Sequence, residues 1–473
     1  MRFTRLFRAL FAIATIQLGA HCLEVRAVDA IDIGGQRELF VDDALIDQTD
    51  GDLELRLQRP QPAKVVLTTD KPWEGNTSAY YTVFHDKAAG LYRMYYRGSH
   101  FDTNTKKAAH PEVTCYAESK DGVNWNKPEL GLFEFGGSKN NNIVWSGIGT
   151  HCFAVFKDAN PACAADARYK AISRGRPIGK KGLYVFQSPD GIHWSLIKNE
   201  PVITEGYFDS QNLAFWDVHS KIYREYHRTF VNGVRAIMTG TSDDFVNWTN
   251  PKLLDYGDAP NEHLYTNAVQ RYERAPHMLI GFPTRYLPKQ ASRVEPVFMA
   301  SRDGLNFKRW PAAVVPEDAP EDRSGNRSNY MTWGMVQLPG NDREFSVYAT
   351  EAYYTGPDSR VRRFTYRVDG FVSAKGGPQG GSLTTKPIRF RGKQLEVNFA
   401  THGKGQVRVE LQDANGKVIP GFAATNCSPL TGNATAQTVQ WNTKAVLASL
   451  SEETIRIKFE VTDGDLYSYR FHD

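Results

Sequence analysis

Cysteine is scarce in this chain, with 5 in 473 residues. Cys115, Cys152, Cys163 and Cys427 match no zinc-ligand spacing, and Cys22 falls in an apolar leader. A disulfide-dense or metal-clamped small fold is thereby excluded. Cys152 and Cys163 flank a candidate strand and its loop, so either a disulfide or two buried thiols fits them. No metal and no cofactor are expected. An excess of one charge is also lacking. The formal net charge is +4, which leaves no electrostatic footprint for nucleic acid. Long apolar runs are missing too. The stretch 9–20 is too short to cross a bilayer comfortably, so no membrane span is expected.

That short stretch has its own meaning. Arg2, Arg5 and Arg8 precede it, and Val25-Arg26-Ala27 follows as a cleavage signature. Residues 1–27 therefore read as a signal peptide, and the protein as secreted or periplasmic. Cleavage removes four Arg and one Glu and leaves a net charge of about +1.

What is present is a phrase repeated four times. It starts at Ser119, Ser188, Ser242 and Ser301, with copies 69, 54 and 59 residues apart. Each has Asp two residues after Ser (Asp121, Asp190, Asp244, Asp303) and an aromatic residue six after it (Trp125, Trp194, Trp248, Phe307). In three copies Gly follows the Asp. Asp–Gly is turn chemistry, since Asp bonds nearby backbone and Gly supplies positive φ. Each phrase is thus a hairpin that opens a strand with a large ring. A repeat of this length built of strands is the mark of a β-propeller.

Two more strand-like runs precede each phrase: 79–85 and 91–97, 151–156 and 169–174, 212–216 and 223–228, 265–270 and 277–282. They are rich in aromatic and β-branched residues and bounded by Gly, Asp, Asn and Pro. A fifth set, 330–336, 344–349 and a strand ending at Asp369-Gly370-Phe371, lacks the full phrase but fits the order. The expected fold class is all-β. A five-bladed propeller would span 28–373, with blades from about residue 50. The glycine-rich segment 374–381 reads as a linker or long turn. Alternating runs after it predict an antiparallel β-sandwich over 380–473. Glu38 to Asp43 could pair with that sandwich or with the propeller rim.

In a propeller the start of each innermost strand and the end of each second strand gather at one end of the central channel. Reading those positions gives Glu74, then Thr150 and His151, Asp209 and Gln211, Glu262 and His263, Arg327 and Asn329. The second strands contribute Arg97, Arg174, Arg228 and Arg285, with Glu351 in blade five. In three blades a Tyr precedes the Arg by five residues (Tyr92, Tyr169, Tyr223). Carboxylates, imidazoles and guanidiniums converging in a funnel suit acid–base chemistry on a polar substrate. Asp209 is the candidate base or nucleophile and Glu262 the candidate acid. Glu74 would orient a substrate hydroxyl. Guanidiniums suit an anionic group, so a sulfated or uronic glycan is the natural ligand. Trp73 and Tyr265 are candidate sugar-stacking rings.

With five blades, Ser-x-Asp-Gly hairpins, an export signal and a trailing sandwich, the chain resembles the five-bladed propeller glycosidases. These are the invertase, levansucrase and arabinanase group, glycoside hydrolase families 32 and 43. The resemblance implies an enzyme that cleaves or transfers glycosyl units with acidic funnel residues. The invertase-type Asn-Asp-Pro-Asn, Arg-Asp-Pro and Glu-Cys motifs are absent, so no catalytic residue transfers by motif. The alternative function is a non-catalytic carbohydrate-binding or scaffold propeller.

Overall fold

The structure is a computed structural model that describes residues 29–290, 292–315 and 330–473. The expected leader with Cys22, and the funnel candidates Arg327 and Asn329, lie outside the described residues.

Four blades follow the repeat. The first is the antiparallel set Ala79–Asp86, Leu91–Gly98, Val113–Ser119 and Ile143–Trp145. The second runs Ala154–Lys157, Tyr169–Arg174, Leu183–Ser188, Ser195–Leu196. The third runs Leu213–Asp217, Ile222–Val231, Val234–Ser242, Lys252–Leu253. In the fourth the second strand is broken into Ala275–Gly281 and Thr284–Leu287 between Gln270–Tyr272 and Arg293–Ser301. Lys308–Ala313 forms its outer edge. Inner strands are buried on both faces, so they read as unbroken apolar runs such as Leu213-Ala214-Phe215 rather than as alternation.

The fifth blade is built from two distant parts of the chain. Met331 and Val336 bridge to Ala349 and Ser346 on Glu344–Glu351, which pairs with Arg360–Arg367. Arg360–Arg367 is the strand expected to end at Asp369-Gly370-Phe371, and one more strand lies outside it. That strand is Gln61–Thr68, from the start of the chain. The ring is therefore closed by strands from two distant parts of the sequence. Inside, Trp333 completes the closure by pairing with the first blade: Val83 N–H donates to its carbonyl at 2.8 Å.

In all four copies the Ser Oγ donates to the Asp Oδ1, which also accepts two following N–H groups, and in the three copies with Gly the Ser Oγ accepts from the Gly N–H. In the first, Ser119 Oγ accepts from Gly122 N–H at 2.9 Å, while Asp121 Oδ1 accepts from Val123 and Asn124 N–H at 2.9 and 2.8 Å. Tyr92 pairs with Ser119, Tyr169 with Ser188 and Tyr223 with Ser242, so the hairpins lie at the end of the ring opposite Arg97, Arg174 and Arg228, which share one register.

The C-terminal sheet is assembled from both ends of the chain. Thr454–His472 pairs with Gln394–Asp413, Val372–Thr385, Ile388–Phe390 and Arg37–Leu39. Ile46–Leu57 adds to the edge of Val372–Thr385. Of residues 38–43, Glu38 and Leu39 pair with the sandwich, while Glu38 and Asp42 also hold Arg302 of blade four and the Val41 carbonyl accepts from Trp310. The linker reading of 374–381 is overturned, because these residues sit inside the strand Val372–Thr385. The register jumps between Gly376 and Gly381 on both neighbours, which absorbs the extra Gly-Pro-Gln-Gly as a bulge. A β-carbon on Gly376 would stand 2.1 Å from the Val461 carbonyl oxygen, so glycine here serves close approach and not a turn. The apolar faces of these strands enclose their own core, including Phe399, Val409, Ile457, Phe459 and Phe471.

Asp369 ties the two parts together. Its buried carboxylate accepts from Tyr272 OH at 2.5 Å, Arg274 Nε at 2.9 Å, Ser468 Oγ at 2.6 Å and Asn398 Nδ2 at 3.0 Å. All four described cysteines are free thiols, Cys152 and Cys163 included.

Candidate active site at the Arg end of the channel

Three second strands deliver the site. Arg97 stands opposite Ala79 at the start of the first inner strand, Arg174 ends the matching strand of blade two, and Arg228 lies in the second half of Ile222–Val231 in blade three. Inner-strand entries add His151 from blade two and Asp209 from blade three. His151 Nε2 lies 3.1 Å from Asp209 Oδ1 and its Nδ1 lies 2.9 Å from Glu112. The imidazole thus bridges the two carboxylates. Arg174 Nη1 is 3.3 Å and Arg228 Nη2 3.8 Å from Asp209. Arg97 Nη1 is 3.4 Å from Glu112 and 3.2 Å from the His151 ring nitrogens.

The carboxylates differ in access. The Asp209 side chain is 48% exposed and that of Glu112 23%. Burial acts to raise both pKa values, but the His151 hydrogen bonds and the nearby guanidiniums outweigh it. Asp209 is held well below the usual carboxylate range, and Glu112 is brought down to about 2. Both are thus ionised at neutral pH.

Tyrosines wall this network. The Arg97 guanidinium lies 4.8 Å over the Tyr80 ring, and its Nη2 donates to Tyr353 OH at 3.0 Å. Arg228 and Arg235 each lie 5.1 Å from the Tyr265 ring centroid. Burial pushes the Tyr80 and Tyr265 hydroxyls up, so they serve as neutral donors and not as bases. Tyr80 holds φ of 59°, a left-handed conformation costly for a bulky residue and typical of functional sites.

Of the expected site residues, the structure thus brings together Asp209, His151, Arg97, Arg174, Arg228 and Tyr265. The others go elsewhere. Glu74 is buried inside blade one, where Tyr96 OH and Lys127 Nζ each donate to it at 2.6 Å. Nothing of it reaches Asp209. Glu262 is held by Arg285 Nη1 at 3.1 Å and by Arg309, and Arg285 also binds Glu295 and the Pro311 carbonyl. Both belong to a guanidinium–carboxylate knot within blade four. Glu351 pairs with Arg362 at 2.6 Å and Arg360 at 3.3 Å on the adjoining strand. Gln211 spends its amide N–H groups on the Tyr80 and Tyr81 carbonyls and on Thr82 Oγ1, which locks blade three to blade one across the channel. Trp73 donates to Asn142 at 2.7 Å and packs on Phe135 within blade one.

Glu112, Tyr353 and Arg235 were missed. Two of them had a legible signal. The third strand of a blade begins where the second ends, so Glu112 just before Val113–Ser119 and Arg235 in Val234–Ser242 belong to the same end of the channel. Tyr353 follows the second strand of blade five and carried no such register mark.

Beside Asp209 a cleft of about 330 Å³ opens, lined by Arg174, Arg176, Lys181, Tyr207, Asp209 and Arg228 among others. Among the described residues no group of three or more His, Cys, Asp or Glu side chains is placed to hold a metal ion. No helix among them is long and apolar enough to cross a membrane.

No family model matches the chain, and no curated protein matches it. The chain is similar in fold to solved carbohydrate-active enzymes. A family-43 arabinoxylan arabinofuranohydrolase from Bacillus subtilis shares 12% identity over 86% of this chain and 97% of its own, with a TM-score of 0.43. A family-32 β-fructofuranosidase from Bombyx mori shares 10% over 88% and 94%, at 0.41. A β-1,2-mannobiose phosphorylase from Listeria innocua shares 12% over 65% and 96%, at 0.47. At this distance the likeness says nothing of chemistry.

Proposed function

We propose that the protein is an exported glycoside hydrolase acting at the Arg end of the channel, on an anionic polysaccharide or oligosaccharide. The observation that carries this reading is Asp209, an accessible carboxylate held ionised in the funnel by His151, Arg174 and Arg228. Glycosidic cleavage passes through a cationic, oxocarbenium-like transition state. A carboxylate that stays ionised stabilises that charge, as nucleophile or as the group that aligns water. The leaving oxygen needs a proton. His151 stands beside Asp209 with Glu112 behind it, so it is positioned to donate, while Glu112 fixes its ring. Guanidiniums around one carboxylate favour a substrate that brings its own negative charge. Export rests on the Arg-flanked leader of residues 1–27.

One observation favours the second reading, a non-catalytic glycan-binding propeller. The carboxyl that burial does push up, Glu225, is sealed against His227 at 2.8 Å with no exposed side chain on either partner. It cannot serve as a funnel acid. Incubation of the purified protein with sulfated, uronic and neutral glycans separates the readings. Released reducing sugar supports the hydrolase. Binding without release supports the second.

A further inference from the structure

We propose that the cleft beside Asp209 is a subsite for a sugar residue bearing an oxyanion, a sulfate ester or a uronate carboxylate, next to the sugar handled at Asp209. It rests on the glycan reading above but not on catalysis. Four cationic side chains, Arg174, Arg176, Lys181 and Arg228, line this cleft against one carboxylate, Asp209. Arg174 and Arg228 already face that carboxylate. Arg176 and Lys181 are exposed and have no carboxylate at ion-pair distance among the described residues, whereas Lys180 beside them is paired with Glu200 at 2.7 Å. The cleft therefore carries positive charge that the protein does not neutralise.

A second feature points to a sugar. Tyr207 is 54% exposed, unusual for so large a ring, and it forms one wall of the cleft. Its backbone is clamped to Arg228 in both directions: its N–H donates to the Arg228 carbonyl at 2.9 Å and its carbonyl accepts from Arg228 Nε at 3.0 Å. Phe230 meets its ring edge-on at 5.2 Å, and Lys181 Nζ stands 4.7 Å from its centroid. A fixed aromatic platform offers the C–H face of a pyranose a surface to stack on. Lys181, seated over the Tyr207 ring, and Arg176 in the same cleft then meet an oxyanion projecting from the sugar, with the guanidinium fork taking two oxygens at once. A neutral sugar would use the platform and leave both cations without a counterpart.

The test is calorimetric binding to the full chain of three probes of equal length: a sulfated galactan oligosaccharide, an oligogalacturonate and a cello-oligosaccharide. The comparison protein is the double variant Arg176→Ala/Lys181→Ala, whose changes are confined to exposed side chains. At least one anionic probe should bind more tightly than the neutral one. The double variant should weaken it by about tenfold or more, and the neutral probe much less. Which anionic probe binds names the sulfate or the uronate source. Neutral binding as tight as anionic, no binding of any probe, or anionic binding indifferent to the double variant overturns the proposal. Anionic binding through these residues with no sugar released from any glycan keeps this subsite and overturns the hydrolase reading alone.

Discussion

At the scale of single residues, the site turns on which carboxylate is accessible. Asp209→Asn keeps size and removes the charge that His151, Arg174 and Arg228 hold in place. If the proposed reaction is right, turnover should fall by about 10²-fold or more, with an unchanged circular dichroism spectrum; a variant at full activity would move the chemistry away from Asp209. Glu112 makes a different claim, on stability. Its pKa is lowered to about 2 from an ordinary 4.5, so its contribution is complete above pH 4.5 and is lost as pH falls toward 2. Glu112→Gln should therefore be less stable than the parent at pH 7, with the gap closing between pH 4.5 and 2. Denaturant titrations across that range check it, and a gap that widens toward acid would contradict the assigned shift.

At the scale of the element, the hairpin phrase also carries an interlock between blades. Tyr95 OH donates to the Gly191 carbonyl of the next blade at 2.9 Å, Tyr226 to Gly304 at 2.9 Å, and Tyr348 to Gly122 at 2.7 Å. The junction between blades two and three breaks the pattern in both partners. Phe245 replaces Gly despite φ of 68°, and Ile172 stands in blade two where the others have tyrosine. The Phe245 ring fills the place, packing against Phe156 and Tyr223 at 5.5 and 5.3 Å. Phe245→Gly would relieve the backbone, yet it should cost about 3–5 kcal/mol because the ring is fully buried. Gly191→Ala should also destabilise, by about 1 kcal/mol or more, since its β-carbon would stand 2.6 Å from Tyr95 OH at φ of 82°. Thermal melts of the two variants test both. A stabilised Phe245→Gly would show that backbone strain, and not packing, governs this hairpin.

At the scale of the whole molecule, two devices join distant chain segments. Gln61–Thr68 closes the ring on Arg360–Arg367, so the sheet edge of the last blade is covered. Asp369 fastens the propeller to the C-terminal sheet. Burial acts to raise its pKa, but Arg274, Arg37 and Ser468 bring it below the ordinary value. Asp369→Asn preserves shape and tolerates the residue's φ of 61°, but it leaves Arg274 without its anion, while Arg37 keeps Glu396. Losing one partner of such a buried group costs about 3–5 kcal/mol. The denaturation midpoint should fall accordingly, and a change within about 0.5 kcal/mol would show that Asp369 does not hold the two parts together.

The sequence by itself determined what is local or periodic. The Ser-x-Asp phrase writes its own hydrogen bonds within six residues, so four copies announced four hairpins and the ring they belong to. The strand register it sets carried Arg97, Arg174, Arg228 and Asp209 to one end, which made half of the site readable. Tertiary structure alone decided what each carboxylate meets. Glu74 and Glu262 stand at plausible strand entries, but Lys127, Arg285 and Arg309 reach them from other strands and consume them. Composition marked 374–381 as a turn, since Gly and Pro commonly break strands. The neighbouring Val461 backbone instead presses so close that only glycine fits, and the strand continues. Ion pairing and close approach depend on atoms brought together from far along the chain, and no local pattern encodes them.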